Sequence, residues 1–296
     1  MESRLTIPWL AVIALAGCAA APAEPQSAPA PPAPGASEPQ VPAAMQWLYG
    51  SGEGAAASVQ TYRAFAAHVL AAVRTRPSES VILENGSTLA EPRFVPCGGK
   101  PLAVVLDVDE TAIQNLGFEH DEARRGRSDR DALRRSHLTA AAAVAPMPGA
   151  VEAVRAARAA GVTAIFVSNR LVEASSGTEA ALANAGLGPA RSGETLFLKT
   201  DEASGSGKDE RRTAIAQRYC VVAMAGDQLG DFSDLFNVRG LAVRDRRRAA
   251  SEGRLAAMWG AGWFMLSNPV YGPSIRGSFD EVFPPELRWN DPTRPR

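Results

Sequence analysis

The sequence predicts an α/β fold in which one doubly wound, mostly parallel sheet carries helices on both faces. Three observations support this prediction. Short apolar runs recur along the chain, each run ends in polar residues, and stretches rich in Ala, Glu and Arg separate the runs as helices would. The four clearest runs begin at Leu102, Val162, Thr195 and Cys220. Because right-handed crossovers keep such strands parallel, all four polar ends are predicted at one edge of the sheet.

The first run ends in two aspartates one residue apart, Asp107 and Asp109. At the carboxyl end of a parallel strand, both side chains can point at one ligand. Two carboxylates in this arrangement can act as nucleophile and proton shuttle. A strand that ends in a solvated acidic turn would have the same pattern, so the functional interpretation depends on partners elsewhere in the chain.

Those partners follow in a fixed order. The second run ends in Ser168 and Asn169, where a hydroxyl and turn amides suit a phosphate group. The third run leads through a loop rich in Ser and Gly to Lys208, which begins a helical stretch, and the fourth run ends in Asp227 and Asp231. The predicted sheet edge therefore collects acids, a hydroxyl and a cation.

Three of these assignments have alternatives. Lys199 also follows the third run, and Lys208 is favoured as the phosphate-binding lysine because it stands at a helix N-terminus. Ser168 is also suited to cap the turn that follows it. Asp231 is also suited to cap a helix that begins at the next residue.

In this order, the four motifs resemble those of phosphatases in the haloacid dehalogenase (HAD) superfamily. More narrowly, they resemble the class C acid phosphatases, the bacterial lipoprotein e family, over about residues 47–272. The segments that carry the narrower resemblance are Asp109-Glu-Thr with Asn115, Val167-Ser-Asn-Arg170, Lys208-x-x-Arg211, Gly226-Asp-x-Leu-Gly-Asp-Phe232 and Asn268-Pro-x-Tyr-Gly272. The resemblance implies a Rossmann-like sheet with a small helical cap. The cap is expected from a helix at residues 56–75 and from an insertion at about 112–145, in which residues 124–135 are predicted to form a solvated helix.

The resemblance also implies roles for the acids. Asp107 would attack phosphorus and form an aspartyl phosphate. Asp109 would protonate the leaving oxygen and then accept a proton from water. Mg2+ would be held by Asp107, by the main-chain carbonyl of Asp109 and by Asp227, since this ion prefers oxygen ligands.

The remaining motif residues would bind phosphate or support the site. Phosphoryl oxygens would be bound by Ser168, Asn169 and Lys208. Thr111 and Asp231 are the supporting residues, and Asp231 would orient Lys208 or a metal-bound water. Arg170 is expected to pair with acids around the site, and its role is left open.

The amino terminus predicts export and lipid attachment. Residues 7–15 form an apolar stretch after Arg4, and the following Leu15-Ala-Gly-Cys18 looks like a bacterial lipoprotein signal with Cys18 as the acylated residue. A cleaved secretory peptide without lipid is the alternative. In the family context, Ala19 implies transport to the outer membrane.

The predicted organisation has five parts. A signal peptide spans residues 1–17, a lipidated Cys with a disordered Ala- and Pro-rich tether spans 18–44, and an N-terminal helical region spans 45–100. The phosphatase core spans 101–272, and a tail spans 273–296. Homodimerisation is left open.

Charge and cysteine content narrow the possible functions. The formal net charge of −1 gives no electrostatic case for binding a nucleic-acid polymer, and the basic run 244–248 is expected to face solvent. Cys97 and Cys220 would lie in an oxidising compartment if the chain is exported. Because Cys220 begins a core strand and fits the role of a small buried hydrophobe, we expect no disulfide between them.

The expected function is that of a Mg2+-dependent acid phosphatase on small phosphomonoesters, with nucleoside 5′-monophosphates as the leading substrates. Tyr271 is the candidate residue for stacking a base, and its alternative role is to anchor its own turn. The resemblance implies two tryptophans that assist such stacking, one just after the Tyr-Gly pair and one in the insertion, and both are absent here. A phosphomonoesterase without base preference therefore remains an alternative. A catalytically silent envelope lipoprotein is another.

Overall fold

The computed structural model describes residues 39–293. The predicted signal peptide, the lipidation candidate Cys18 and most of the tether lie outside the described residues. No helix within residues 39–293 has both the length and the apolar character needed to cross a membrane.

Nine strands and nine α-helices form in the part of the chain that the structure describes. The strands are β1 (Glu79–Leu83), β2 (Phe94–Pro96), β3 (Leu102–Leu106), β4 (Ile113–Gln114), β5 (Ala145–Pro146), β6 (Thr163–Leu171), β7 (Leu196–Lys199), β8 (Cys220–Gly226) and β9 (Trp263–Met265). The helices are α1 (Ala43–Met45), α2 (Gly52–Thr75), α3 (Leu116–Arg125), α4 (Arg130–Thr139), α5 (Ala150–Ala159), α6 (Ser175–Asn184), α7 (Asp209–Arg218), α8 (Val243–Ser251) and α9 (Phe279–Val282).

The main sheet confirms the predicted fold class. Its five strands lie in the order β7-β6-β3-β8-β9, and every neighbouring pair is parallel. All five residues of β3 are buried. Leu102, Val104 and Leu106 pack into the core on one face of the sheet, and Ala103 and Val105 pack into the core on the other. Side-chain alternation along a strand between two covered faces explains why this run is continuously apolar.

The long helix α2 is a layer of the core. The Ser51 hydroxyl caps it by accepting a hydrogen bond from the Gly54 N–H at 2.9 Å. Tyr62, Phe65 and Val69, which lie at helical spacing, are buried in the core beneath the sheet. The predicted helix is therefore present, but it packs on the main sheet and does not form part of the cap.

The N-terminal contribution to the cap comes from the turn before α2. This turn spans Gln46–Gly50 and lies beside the start of the insertion, where the Gln114 side-chain amide donates a hydrogen bond to the Leu48 carbonyl at 3.3 Å.

The basic run 244–248 lies on α8, which has no buried residue.

The insertion contains two short helices in place of the single solvated helix predicted through residues 124–135. Helix α3 ends at Gly126, whose φ of +66° is a left-handed conformation that glycine adopts without strain. The Asp129 carboxylate then starts α4 by accepting hydrogen bonds from two main-chain N–H groups at 3.0 Å. Glycine and a capping aspartate so close together break the helical pattern.

Cys97 and Cys220 form a disulfide, so the expectation that they remain unpaired was wrong. Their Cα atoms are 4.6 Å apart although 123 positions separate them in the sequence. The Cys220 N–H donates a hydrogen bond to the Pro101 carbonyl at 2.9 Å, so the turn that follows Cys97 runs past the start of β8. Both cysteines are buried, as small hydrophobes would be, and they meet because the turn and the strand are neighbours.

We predict that replacing both cysteines by alanine lowers the free energy of unfolding by about 2–5 kcal/mol, because the bond closes a long loop of the unfolded chain. Denaturant unfolding at equilibrium is the measurement. The wild-type protein kept in reductant is the matched control, and its unfolding curve should fall on that of the double variant. Equal stability of oxidised and reduced wild type would contradict the prediction.

Candidate active site

The loop after β3 carries the first pair of acids at the carboxyl edge of the sheet. The Asp107 N–H donates to the Ala225 carbonyl at 3.0 Å, which continues the pairing of β3 with β8 up to the site. Glu110 then turns the chain with a φ of +52°, an uncommon conformation for a residue with a side chain. Thr111 closes the loop because its hydroxyl donates to Asp227 at 3.2 Å. The loop thus brings the first and fourth motifs together.

Lys208 lies at the centre of the site. Its buried ammonium group donates hydrogen bonds to Asp107, to Asp231 at 2.7 Å and to the Val167 carbonyl at 3.1 Å. Although burial alone would lower it, the two carboxylates raise the pKa of Lys208, so this side chain stays charged. Lys199 instead contacts Glu202, donating to its carbonyl at 3.2 Å. Of the two candidate lysines, the geometry brings Lys208 to the acids.

Asp109 is held by Arg170, in agreement with the expectation that this arginine pairs with acids. Two guanidinium nitrogens of Arg170 donate to the carboxylate, with the shortest hydrogen bond at 2.7 Å, and Arg170 also donates to the side-chain oxygen of Asn115 at 2.8 Å. The Asn115 amide and the Ser168 hydroxyl complete the ring of donors, at 2.8 Å and 3.2 Å. Burial opposes the effect, but the Arg170 guanidinium holds the pKa of Asp109 well below its usual range.

The second motif forms a braced turn. The Ser168 hydroxyl accepts a hydrogen bond from the Arg170 N–H at 3.0 Å, so it caps the turn while it donates to Asp109. The exposed Asn169 side chain accepts from the Arg211 guanidinium at 2.6 Å and donates to the Ser206 carbonyl at 3.0 Å. Arg211 therefore fixes the second motif to the start of α7.

Asp231 orients Lys208 and does not cap a following helix. One of its oxygens accepts from Lys208, and the other accepts from the Gln228 N–H at 2.8 Å within its own short turn, Leu229–Asp231. Beneath this turn, the buried Arg212 guanidinium donates to the carbonyls of Gly230 and Asp231 at 3.0 Å and 2.8 Å. Sequence reasoning did not identify Arg212, although the pair Arg211-Arg212 near the start of the predicted helix was visible in the sequence.

Three carboxylates form a cluster that suits a hard metal ion. One oxygen each from Asp107, Asp227 and Asp231 lies within 4.8 Å of the others. Burial and the charges of the other two acids raise the pKa of Asp227 well above its usual range, although the Asn268 side chain donates to it at 2.7 Å. A divalent cation is the natural counter-charge for such a group, and an all-oxygen donor set suits Mg2+. The predicted ligand set shares two of these acids, and the Asp109 side chain is engaged by Arg170.

Glu110 is a buried acid to which sequence reasoning gave no role. Its carboxylate accepts hydrogen bonds from the Asn115 N–H at 2.9 Å and from the Tyr271 hydroxyl. Burial, reinforced by Asp109, raises the pKa of Glu110 to about 7. Its place in the first motif, directly after Asp109 and before Thr111, was visible in the sequence. Its contact with Tyr271 was not, because 161 positions separate the two residues.

Tyr271 lies where the sequence placed a substrate contact, with its hydroxyl already engaged. It lines a cavity of about 410 Å³ together with the aspartates and Lys208. Its hydroxyl donates to Glu110, and its carbonyl accepts from the Gln228 side chain at 3.2 Å. Both features support the turn-anchoring role, while the ring remains part of the cavity wall.

Comparisons with known proteins agree with this geometry. A family model described as "HAD superfamily, subfamily IIIB (Acid phosphatase)" matches residues 58–274. Two solved structures of the class C acid phosphatase from Bacillus anthracis, one with tungstate bound, are similar at 25% and 24% identity with a TM-score of 0.62. Each match covers 78% of this chain and 84% of the other. No curated protein matches the chain.

Proposed function

The chain belongs to the subfamily IIIB acid phosphatases of the HAD superfamily, and we propose that it hydrolyses small phosphomonoesters through a phosphorylated Asp107, with Mg2+ bound. Membership makes it a phosphoric monoester hydrolase, which sets aside the silent-lipoprotein alternative. The observation that carries the proposal is the contact of the Lys208 ammonium with both Asp107 and Asp231 at the carboxyl edge of the sheet. This arrangement supplies a nucleophile and a cation at one point.

Asp107 is the nucleophile in this mechanism. An Asp107 oxygen attacks phosphorus, the bond from phosphorus to the leaving oxygen breaks, and an aspartyl phosphate forms. Burial, against the opposing effect of Lys208 and together with the charges of Asp231 and Asp109, raises the pKa of Asp107 to about 7. Lys208 favours the ionised form that attacks, and it stabilises the charge on the phosphoryl oxygens. The Ser168 hydroxyl and Asn169 bind the remaining oxygens.

Asp109 carries the proton in both halves of the reaction. Its carboxylate is ionised beside Arg170, which suits the second half, when it takes a proton from the water that attacks the aspartyl phosphate. In the first half it must hold a proton for the leaving oxygen. The dianionic ester brings negative charge next to Asp109, and this charge raises the pKa of Asp109 and so favours protonation. Arg170 and Asn115 keep the carboxylate aimed at one place throughout.

The metal ion fits the carboxylate cluster. Asp107 and Asp227 would hold it, with the main-chain carbonyl of Asp109 as the third protein ligand and Asp231 adjacent. Bound there, a divalent cation would offset the repulsion among the acids and polarise the phosphoryl oxygens. Thr111, Asn268 and Gln228 donate hydrogen bonds to Asp227 and fix its orientation.

Nucleoside 5′-monophosphates are the leading substrates in this proposal. Their support is the Tyr271 ring in the wall of the cavity that holds Asp107 and Lys208. The second candidate function is a phosphomonoesterase without base preference. It is favoured by the contact of the Tyr271 hydroxyl with Glu110, because a residue that anchors its own turn contributes to stability whatever the substrate.

For the nucleophile, we predict that Asp107→Asn folds and has no measurable turnover, because an amide does not attack phosphorus. Asp109→Asn should retain the nucleophile and lose about 10²–10⁴-fold in rate, the usual contribution of a proton-transfer group. Hydrolysis of an aryl phosphate gives both rates, and trapping of labelled phosphate followed by peptide mapping locates the modified residue. Label on Asp109 would overturn the assignment.

For the metal, we predict that a chelator removes activity and that Mg2+ restores it. Zn2+ should restore it poorly, because the donors in the cluster are all oxygen. The measurement is aryl phosphate hydrolysis after exhaustive dialysis against chelator, with the metals added back separately. Full activity in the stripped protein would contradict the mechanism, provided that elemental analysis finds no remaining metal.

For the base, we predict that Tyr271→Phe retains the preference for a nucleoside monophosphate over a small alkyl phosphate, because the ring remains. Tyr271→Ala should raise KM for the nucleotide and so lower that preference by about 5- to 150-fold, which corresponds to the roughly 1–3 kcal/mol that stacking of one base contributes. The ratio of kcat/KM values for the two substrates is measured in each variant, together with thermal stability. An unchanged ratio in Tyr271→Ala, with a lower melting temperature in both variants, would favour the phosphomonoesterase without base preference.

A further inference from the structure

A second groove, of about 820 Å³, adjoins the catalytic cavity. One wall is the segment 41–51, which includes the side chains of Trp47 and Tyr49, and the other wall is one face of α3. Glu119 lines both the groove and the catalytic cavity, so the two spaces meet at this side chain. No step of the proposed mechanism uses Glu119, Trp47 or Tyr49.

Glu119 is a buried acid that lacks a positive partner. The residue is 4% exposed, and one of its carboxylate oxygens has no hydrogen-bond partner within residues 39–293. It also forms no ion pair in that range. Its charged neighbours are acids: burial, and then Glu110, Glu122 and Asp109, raise the pKa of Glu119 to about 8. An acid in these surroundings gains from a cation that arrives with a ligand.

The other groups around Glu119 leave room for that cation. His120 lines the groove as an exposed residue, and Arg130 is an exposed residue at the rim of the catalytic cavity. The cations inside the cavity, Lys208 and Arg170, are already paired with aspartates.

The groove also carries aromatic rings beside this acid. The Tyr49 hydroxyl is buried near Glu110 and Glu119, and Trp47 is half-buried in the same wall. The face of an aromatic ring attracts ammonium groups, tryptophan most strongly. A carboxylate and two aromatic side chains around one space form a typical site for an organic ammonium ion.

The groove lies close to the residues that hold Asp109. Asn115 donates to Asp109, the proposed acid for the leaving oxygen, and the Glu119 N–H donates to the Asn115 carbonyl at 3.0 Å. Glu119 therefore stands one helical turn beyond Asn115, with about 5–6 Å between the Cβ atoms of the two residues. A leaving group of a few carbon atoms spans such a distance.

We propose that this groove receives the leaving group of phosphomonoesters that carry no base, and that Glu119 selects, among these, the ones whose leaving group carries an ammonium group. The inference rests on the proposed function, because the phosphate must lie at Lys208 and Asp107 for the leaving group to reach the groove. It concerns selectivity among substrates and adds no chemical step.

A homologous series of ω-aminoalkyl phosphates, from two to six carbons, tests the proposal against n-alkyl phosphates of the same length. The readout is the ratio of kcat/KM values for the amino and the plain compound at each length. In the wild type we expect this ratio to reach about tenfold at the length that spans the gap, and to fall on either side of it. A ratio near one at every length would overturn the proposal.

Two variants assign the selectivity to the groove. Glu119→Gln keeps the shape and removes the carboxylate that would ionise beside the ammonium group, and it should bring the ratio close to one at all lengths. Trp47→Leu removes the ring and should lower the ratio independently, so the test does not depend on the folding of one variant. Glu152→Gln, the same change at an exposed position on α5, should keep the wild-type ratio. A wild-type ratio retained in both groove variants would refute the assignment.

The two proposals fail in different ways. If the wild type hydrolyses neither series while an aryl phosphate is also inert, the proposed function is wrong. If it hydrolyses both series equally well, the phosphatase stands and the ammonium selectivity is wrong.

Discussion

The structure depends most on one buried ammonium group, that of Lys208 between Asp107 and Asp231. A charge removed from water at this depth costs several kcal/mol unless opposite charges and hydrogen bonds replace its solvation. Here Asp107 directly follows β3, Asp231 lies in the short turn after the neighbouring strand β8, and Lys208 stands at the start of α7. The contact that suits attack on phosphorus therefore also fixes how three segments meet. Arg212 donates hydrogen bonds to the carbonyls of Gly230 and Asp231, and these bonds fix the turn that carries Asp231.

A second ion pair connects the catalytic loop to the cap. Arg170 lies near the end of β6 and donates hydrogen bonds to both Asp109 and Asn115. Asn115 directly precedes the first helix of the insertion. Because of these hydrogen bonds, a movement of α3 would also move the Asp109 carboxylate, which is proposed to carry the proton. The same helix brings Glu119 to the boundary between the catalytic cavity and the neighbouring groove. The insertion thus contributes both to positioning the acid and to shaping the space beyond it.

The sequence predicted the parts of the fold that follow from local pattern. Four of the five parallel strands were visible as apolar runs, and the motif acids were placed at the sheet edge because the carboxyl ends of parallel strands meet there. Contacts between segments distant in sequence were not visible: the Cys97–Cys220 bond, the Glu110–Tyr271 contact and the carbonyls bound by Arg212 all depend on which turn passes which strand. The location of α2 was also missed, since an amphipathic helix shows that it has a buried face but not what covers that face.

The disulfide has a consequence for how the enzyme withstands proteolysis. It closes a ring of chain that contains Asp107, Ser168 and Lys208, together with the whole insertion. A protease that cuts an exposed turn of this ring, such as the one at Gly126 or the loop before Lys208, leaves two pieces that remain covalently joined. The pieces cannot diffuse apart, and the buried sheet holds them in register. The bond lies at the amino ends of β3 and β8, so the carboxyl edge with its acids is free of the restraint. The cut opens the ring, but the disulfide still keeps all four motifs in one covalently joined molecule.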